Sequence, residues 1–293
     1  MQNKIFVVLG GDRRQISVAA HLAAFVQVRV FGLPLQAMCD GITYYEDWKD
    51  AVSGADAVLL PLPASQDGIR LSCPLMPELP SLSLTELLNE LSPQTSVLGG
   101  RLTPSFKAYA ETLGIPTFDY CESEDFQRKN AIPTAEGAVE ILMRESKRTV
   151  RGMAVAVTGY GRVARALSQL LLAMGAEVTV AARKAAALQE AAALGCRTIL
   201  LKNSESLQRL CYEKHAIFNT VPHWIFTKEV LRELPEQQLF IDLASAPGGM
   251  DPAIAAVAHV RVIYALSLPG KYAPETAGEI IAETVLSALE VEV

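Results

Sequence analysis

The chain has 293 residues, half of them hydrophobic and a fifth charged, with a formal net charge of −6. Such a composition folds into globular domains, two of them at this length, and excludes a disordered chain. The acidic balance argues against a nucleic-acid or anionic-membrane role driven by bulk charge and leaves room only for a local basic pocket.

Lys4 to Leu9 reads as a strand, Gly10-Gly11-Asp12-Arg13-Arg14 as a turn, and Arg14 to Phe25 as a helix with Ile16, Ala19, Ala20 and Ala23 on its apolar face. Val28 to Phe31 follows as a strand. Asp12, Arg13 and Arg14 stand where a helix N-terminus would welcome an anion, although ordinary capping also explains them. Further strands are expected at Ala57–Leu60, Thr95–Leu98 and Pro116–Tyr120. The helices between them are Ser83–Leu91, with a Ser83/Glu86 capping box, and one opened by Thr103-Pro104 and closed by Gly114. Strands alternating with helices imply a mainly parallel, doubly wound sheet. The polar run Cys121–Asn130 reads as a surface crossing, and Ala131-Ile132-Pro133-Thr134 leads into a connector helix from about Ala135 to Lys147. Glu136 then falls in a first turn, where the dipole favours it, or faces a cleft between domains.

The most informative stretch is Met153–Lys184. An apolar strand runs into Gly159-Tyr160-Gly161-Arg162-Val163-Ala164, a helix follows with Val163, Leu167, Leu170, Leu171 and Met174 at helical spacing, and Val178–Ala182 is the next strand. A GxGxxA between strand and helix is a dinucleotide signature: the first glycine turns the chain, the second lets a diphosphate approach the backbone, and Ala164 lets the helix lie close on the strand. An Asp or Glu at the end of the second strand would bind the ribose 2′-hydroxyl of NAD; Arg183-Lys184 stands there instead and suits a 2′-phosphate, pointing to NADP. Later strands at Ala216–Phe218, Leu239–Leu243 and Arg261–Leu266 run into Asn219-Thr220-Val221-Pro222, Ala244-Ser245-Ala246-Pro247-Gly248-Gly249 and Ser267-Leu268-Pro269-Gly270-Lys271. Those small or polar turns allow close approach of a cofactor. A last helix covers about Pro274–Glu290, with Thr276, Ala277 and Gly278 near its start. His223 follows the NTVP turn and could reach a nicotinamide; His21, His215 and His259 read as packed or surface histidines.

Four regions result: residues 1–130, a flavodoxin/Rossmann-like substrate domain; 131–150, the connector; 151–272, a Rossmann domain for NADP; and 273–293, a helix returning to the first domain. The expected fold is therefore α/β, two doubly wound domains with a cleft between them. No apolar run approaches the ~18 residues of a membrane helix, and the chain opens on a strand pattern, so a cytoplasmic protein is expected. Cys39, Cys73, Cys121, Cys196 and Cys211 are scattered without a CxxC pair, as free buried thiols are; no metal-ligand spacing appears.

Taken together, GGDRRQ at Gly10, AIPTAEGA at Ala131, VTGYGRVA at Val157, NTVP at Asn219, DLASAPGG at Asp242 and LSLPGKYAPETAG at Leu266 resemble the A-subunit family of dipicolinate synthases from spore-forming bacteria. The resemblance runs in order through essentially the whole chain. It implies a sporulation enzyme of the mother-cell cytoplasm, in an oligomeric assembly with a flavoprotein-like B-subunit, that oxidises a dihydrodipicolinate derived from 4-hydroxy-tetrahydrodipicolinate and passes hydride to NADP. Two carboxylates on such a substrate need cations, for which Arg13, Arg14 and Lys271 are candidates, with Thr134 and Thr276 beside them. Glu136 or Asp12 would serve as general base. The cofactor-side candidates are Gly159, Tyr160, Gly161, Arg162, Val163, Arg183, Lys184, Asn219, Thr220, Val221, Pro222, Ala244 and Ser245. Two alternatives stay open: a nucleotide-binding subunit that positions or regulates a partner, and a two-domain 2-hydroxy-acid or amino-acid dehydrogenase.

Overall fold

The computed structural model describes residues 4–34, 41–236, 238–257 and 260–291; Cys39 and His259 lie outside them. The chain divides into two compact units, Met1–Asn130 together with Ala273–Val293, and Ala131–Tyr272.

The first unit runs β1 (Ile5–Leu9), α1 (Arg13–Leu22), β2 (Gln27–Phe31), β3 (Ile42–Tyr44), α2 (Trp48–Val52), β4 (Ala57–Leu59), α3 (Leu84–Glu90), β5 (Ser96–Gly99), α4 (Pro104–Thr112) and β6 (Thr117–Asp119). Its six strands are all parallel, in the order β3-β2-β1-β4-β5-β6. Apolar strands such as Phe6–Leu9 and Ala57–Leu59 are wholly buried, as a parallel sheet covered on both faces requires. Side-chain caps start the helices: Asp12 accepts from the Arg14 N–H, and Thr103 accepts from that of Phe106 ahead of Pro104. At α3 only half of the expected capping box forms, with Ser83 accepting from the Glu86 N–H.

The polar run after β6 corrects the sequence reading. It is not a crossing loop: a 3-10 turn at Tyr120–Glu122 leads into α5 (Glu124–Glu145), one 22-residue helix that passes through Pro133. Glu124 and Asp125 suit its first turn, Ser123 accepts from the Phe126 N–H, and Phe126 is buried. Pro133 misleads because an X-Pro pair usually marks a helix boundary. The two units divide within α5, between Asn130 and Ala131.

The second unit continues with β7 (Ala154–Thr158), α6 (Arg162–Ala173), β8 (Glu177–Ala182), α7 (Ala185–Leu194), β9 (Arg197–Leu200), α8 (Ser204–Cys211), β10 (Ala216–Asn219), α9 (Lys228–Arg232), β11 (Leu239–Asp242), α10 (Pro252–Val257), β12 (Arg261–Tyr264) and α11 (Leu268–Tyr272). Its order, β12-β11-β10-β7-β8-β9, again all parallel, is that of the Rossmann fold. Of these, α9, α10 and α11 carry no strong sequence signal; each is five or six residues long.

The terminal helix α12 (Pro274–Ala288) belongs to the first unit and packs on α1. A Cβ on Gly278 would stand 2.5 Å from both the Arg14 carbonyl oxygen and Ser17 Cβ, and the Ser17 hydroxyl donates to the Glu275 carbonyl at 2.9 Å. That packing corrects the α1 face: Arg14, Gln15, Val18, Ala19 and Leu22 are buried, and the helix stops three residues before Phe25. Cys73 and Cys121 are partly buried, and Cys196 and Cys211 buried, all as free thiols; burial pushes those of Cys121 and Cys211 up to about 12. Among the described residues no helix is long and apolar enough to cross a membrane, and no cluster of side chains could hold a metal ion.

Candidate dinucleotide site

In an open parallel sheet the place for a ligand is outside the carboxyl ends of the strands, where the strand order reverses. In the second unit that point lies between β7 and β10. A cavity of about 530 Å3 opens beside it, lined by Gly159 and Tyr160 after β7, Ala181 to Lys184 at the end of β8, Ala187, Leu201, and Val221, Pro222, His223 and Ile225 after β10. Its walls are chiefly apolar, its charged groups are Arg183 and Lys184, and no carboxylate lines it.

The two glycines of the turn do different work. Gly159 has φ +83°, and a Cβ there would meet Thr220 Oγ1 at 2.6 Å. Gly161 has an ordinary φ of −82° as the N-cap of α6, and a Cβ on it would meet nothing within 4 Å. The main chain is therefore bare and accessible at the start of a 12-residue helix whose first N–H groups have no side-chain cap. Those are the conditions a diphosphate needs. Ala164 is wholly buried, as close packing of α6 on the sheet requires. Tyr160 is half-buried; burial raises its phenol above the usual value, and the Arg165 guanidinium stands 5.4 Å from its ring centre while pairing with Glu190 at 2.6 Å.

Behind the cavity a buried polar network sets the loops. Asn219 is fully buried; its carbonyl oxygen accepts from Thr158 Oγ1 at 2.6 Å and the Val221 N–H at 3.1 Å. Its amide nitrogen donates to the Val221 carbonyl at 3.0 Å and to Asp242 Oδ1 at 2.8 Å. Asp242 in turn accepts from the backbone N–H groups of Ala244 and Gly249, at 3.1 and 2.8 Å. Asn219 thus positions loops with every polar atom engaged internally. Asn219→Ala is expected to lower unfolding free energy by about 2–4 kcal/mol, because it leaves several buried partners unpaired; urea denaturation checks this.

The glycine turn of the first unit lacks the third glycine or alanine of the second, so a dinucleotide is not expected there, and it differs in space as well. Cβ atoms on Gly10 and Gly11 would collide with Cys73 Sγ at 2.5 Å, the Ser72 carbonyl at 2.9 Å, and Gln15 Cγ at 2.3 Å. The segment around Ser72 closes over that turn, with the Gly11 N–H donating to the Ser72 carbonyl at 2.8 Å. Protein fills the space that stays open at Gly161.

The remaining sequence candidates fall as follows. In the first unit, Asp12 and Arg14 pair with each other at 2.7 Å, Arg14 is buried and also donates to the Leu62 carbonyl, and Arg13 and Thr276 are exposed at the starts of α1 and α12. In the second unit, Glu136 is exposed twelve residues into α5, which overturns its placement in a first turn. Thr134 lies on the same helix, half-buried, and Lys271 is exposed in α11, a helix rather than a strand-end turn. Arg162 and Val163 open α6, Thr220 donates to the Thr158 carbonyl at 2.7 Å, and Ala244 and Ser245 follow β11 outside the cavity lining. His215 is structural, its Nδ1 accepting from the Ala154 N–H at 3.0 Å. Sequence reading missed Ala187, Leu201 and Ile225, ordinary apolar residues, and Asp242, the single acid closing the apolar strand LFID.

Residues 5–121 match the family described as the N-terminal domain of the dipicolinate synthase A-subunit, and residues 123–266 match the D-isomer specific 2-hydroxyacid dehydrogenase, NAD binding domain. The dipicolinate synthase A-subunit of Bacillus subtilis (strain 168) is 34% identical over 172 residues, which are 59% of this chain and 57% of that protein, so the match spans less than two thirds of the relative. Two crystal structures of dipicolinate synthase A-subunits resemble the chain over nearly their whole length. That from Bacillus halodurans has a TM-score of 0.87 at 28% identity, covering 99% of this chain and 98% of that one. That from Bacillus subtilis has 0.87 at 26% identity, covering 99% and 97%. L-alanine dehydrogenase, at 14% identity and TM-score 0.64, covering 96% and 88%, shares the fold alone. The second unit is thus a dehydrogenase-type domain for a nicotinamide dinucleotide, and over nearly its whole length the chain resembles the dipicolinate synthase A-subunits.

Proposed function

We propose that this chain is the nucleotide-binding, hydride-transferring subunit of a dipicolinate-forming oxidoreductase that uses NADP. The observation carrying the proposal is the open turn at Gly161 beside a cavity that ends in Arg183 and Lys184 with no carboxylate, in a chain that resembles these A-subunits. In the reaction, 4-hydroxy-tetrahydrodipicolinate loses water to give a dihydrodipicolinate, which then loses one hydride and one proton to become the aromatic dicarboxylate. A bound nicotinamide supplies the hydride acceptor. Aromatisation supplies driving force, so the protein's own work is to hold the ring, neutralise two carboxylates and take a proton.

The chain's residues divide those tasks. The N–H groups at the start of α6, which carries no side-chain cap, hold the diphosphate, and Arg183 and Lys184 bind the 2′-phosphate. For the substrate carboxylates the candidates in the first unit are Arg13 and Arg14, the latter already tied through Nε and Nη2 to Asp12 and the Leu62 carbonyl, with Thr276 as a hydroxyl donor; those in the second unit are Lys271 and Thr134. Glu136 is the better proton acceptor, because Asp12 is already engaged by Arg14. That engagement also favours a second reading, in which this chain binds nucleotide while a partner completes the catalytic groups. In the cell we place the chain in the mother-cell cytoplasm during sporulation, in an oligomeric complex with a flavoprotein-like B-subunit.

The test supplies the purified chain, alone and with the B-subunit, with 4-hydroxy-tetrahydrodipicolinate and NADP. Equal amounts of NADPH and dipicolinate are expected from the chain alone. Formation only with the B-subunit supports the second reading; dipicolinate appearing without NADPH in either case overturns the proposal.

A further inference from the structure

His223 is exposed and lines the same cavity as Arg183 and Lys184, although it comes from the loop after β10 and they come from the end of β8. Its placement is rigid. The His223 N–H donates to the Val221 carbonyl at 2.8 Å and its carbonyl accepts from the Ile225 N–H at 2.7 Å. On one side Asn219 clamps Val221 through both N–H and carbonyl. On the other, the Trp224 indole donates to the Pro247 carbonyl at 3.2 Å and the Phe226 N–H to that of Gly249 at 3.0 Å. Among the described residues the imidazole itself has no hydrogen-bond or ionic partner, so a firmly held loop presents an unused donor to the cavity. The other charged or titratable groups lining it are Arg183, Lys184 and Tyr160.

We infer that His223 is a third contact to the phosphate on the adenosine ribose, and so helps to set the preference for a 2′-phosphorylated nucleotide. The inference rests on the NADP reading above. The cavity lies over the ends of β7 and β8, with Leu201 just past β9, which is the adenosine half of a Rossmann site and not its nicotinamide half. A phosphate has three acceptor oxygens, and an imidazole carries an N–H whether neutral or protonated. Approach from the opposite loop lets His223 complete a pocket that Arg183 and Lys184 form from one side only. The apolar remainder, Ala187, Leu201, Val221 and Ile225, suits a purine ring.

Calorimetric titration of the full chain with 2′,5′-ADP and with 5′-AMP, which lacks only the 2′-phosphate, separates the outcomes. The unmodified chain is expected to prefer 2′,5′-ADP. In His223→Ala its affinity should fall about tenfold with 5′-AMP binding unchanged, which also reports an intact fold, and His223→Lys should restore the preference. If the unmodified chain prefers 2′,5′-ADP and His223→Ala keeps that preference in full, the role of His223 is overturned while the NADP reading stands. If the unmodified chain binds both ligands equally, the NADP reading fails, and this inference with it.

Discussion

Replacing Gly161 with alanine is expected to remove dinucleotide binding while the fold stays nearly as stable as before. The added methyl meets no protein atom within 4 Å, and φ at Gly161 is −82°, so the native backbone accepts it. The stability cost is confined to exchanging a glycine N-cap for an alanine one, about 0.5–1 kcal/mol. The same methyl projects into the open space beside the α6 N–H groups that a diphosphate would occupy, and affinity should fall by at least about 2 kcal/mol, roughly thirtyfold. Gly159→Ala should invert this pattern. It forces a side chain onto φ +83° and drives Cβ against Thr220 Oγ1, which cannot retreat while it donates to the Thr158 carbonyl. About 2–4 kcal/mol of stability should be lost. Thermal unfolding and NADP titration of both variants give the comparison. A Gly161→Ala protein that binds NADP normally would mean that the diphosphate does not rest on this turn.

What could be read from the sequence follows the range of the forces involved. The β7 to β8 unit is legible because strand, turn and helix signals are all local and agree: a buried apolar run, two glycines with separate backbone duties, and a helical stripe. Arg183 and Lys184 are legible as strand-end residues, and the cavity contains both. Several candidates carry a role that depends on distant neighbours. Asp12 looks like a free carboxylate until Arg14 turns back onto it, and Asn219 looks like a cofactor ligand until Asp242, Thr158 and Val221 use its amide completely. Glu136 is misplaced from sequence because Pro133 hides the continuity of α5, whose start depends on Phe126 finding a buried site. The two glycine turns already differ locally, because the first lacks the third glycine or alanine; what no local pattern carries is that Ser72 and Cys73, some sixty positions away, fill it. Short elements such as β3, α2 and α9 to α11 are held by packing that periodicity over three to six residues cannot announce.

Arg183→Asp is expected to weaken NADP binding by about 1.5–3 kcal/mol, some ten- to 150-fold, and to spare NAD. Arg183 follows the last buried residue of β8, where a carboxylate would accept from an unphosphorylated ribose and repel a phosphorylated one. The substitution therefore removes an attraction and installs a repulsion, and both act only on the ligand that carries the 2′-phosphate. Because Arg183 is exposed and no side-chain hydrogen bond or ion pair holds it among the described residues, stability should stay within about 0.5 kcal/mol of the parent. Lys184 should act in the same direction and more weakly, since an ammonium lacks the fixed fork that matches phosphate. Competitive titration of parent, Arg183→Asp and Lys184→Ala with NADP and NAD measures all of this. The contact is partly solvated, so the parent's preference for NADP should also shrink as salt is raised, while any NAD binding moves less. Equal affinity of the parent for the two cofactors at low salt would leave Arg183 and Lys184 as surface cations and remove the basis for assigning NADP.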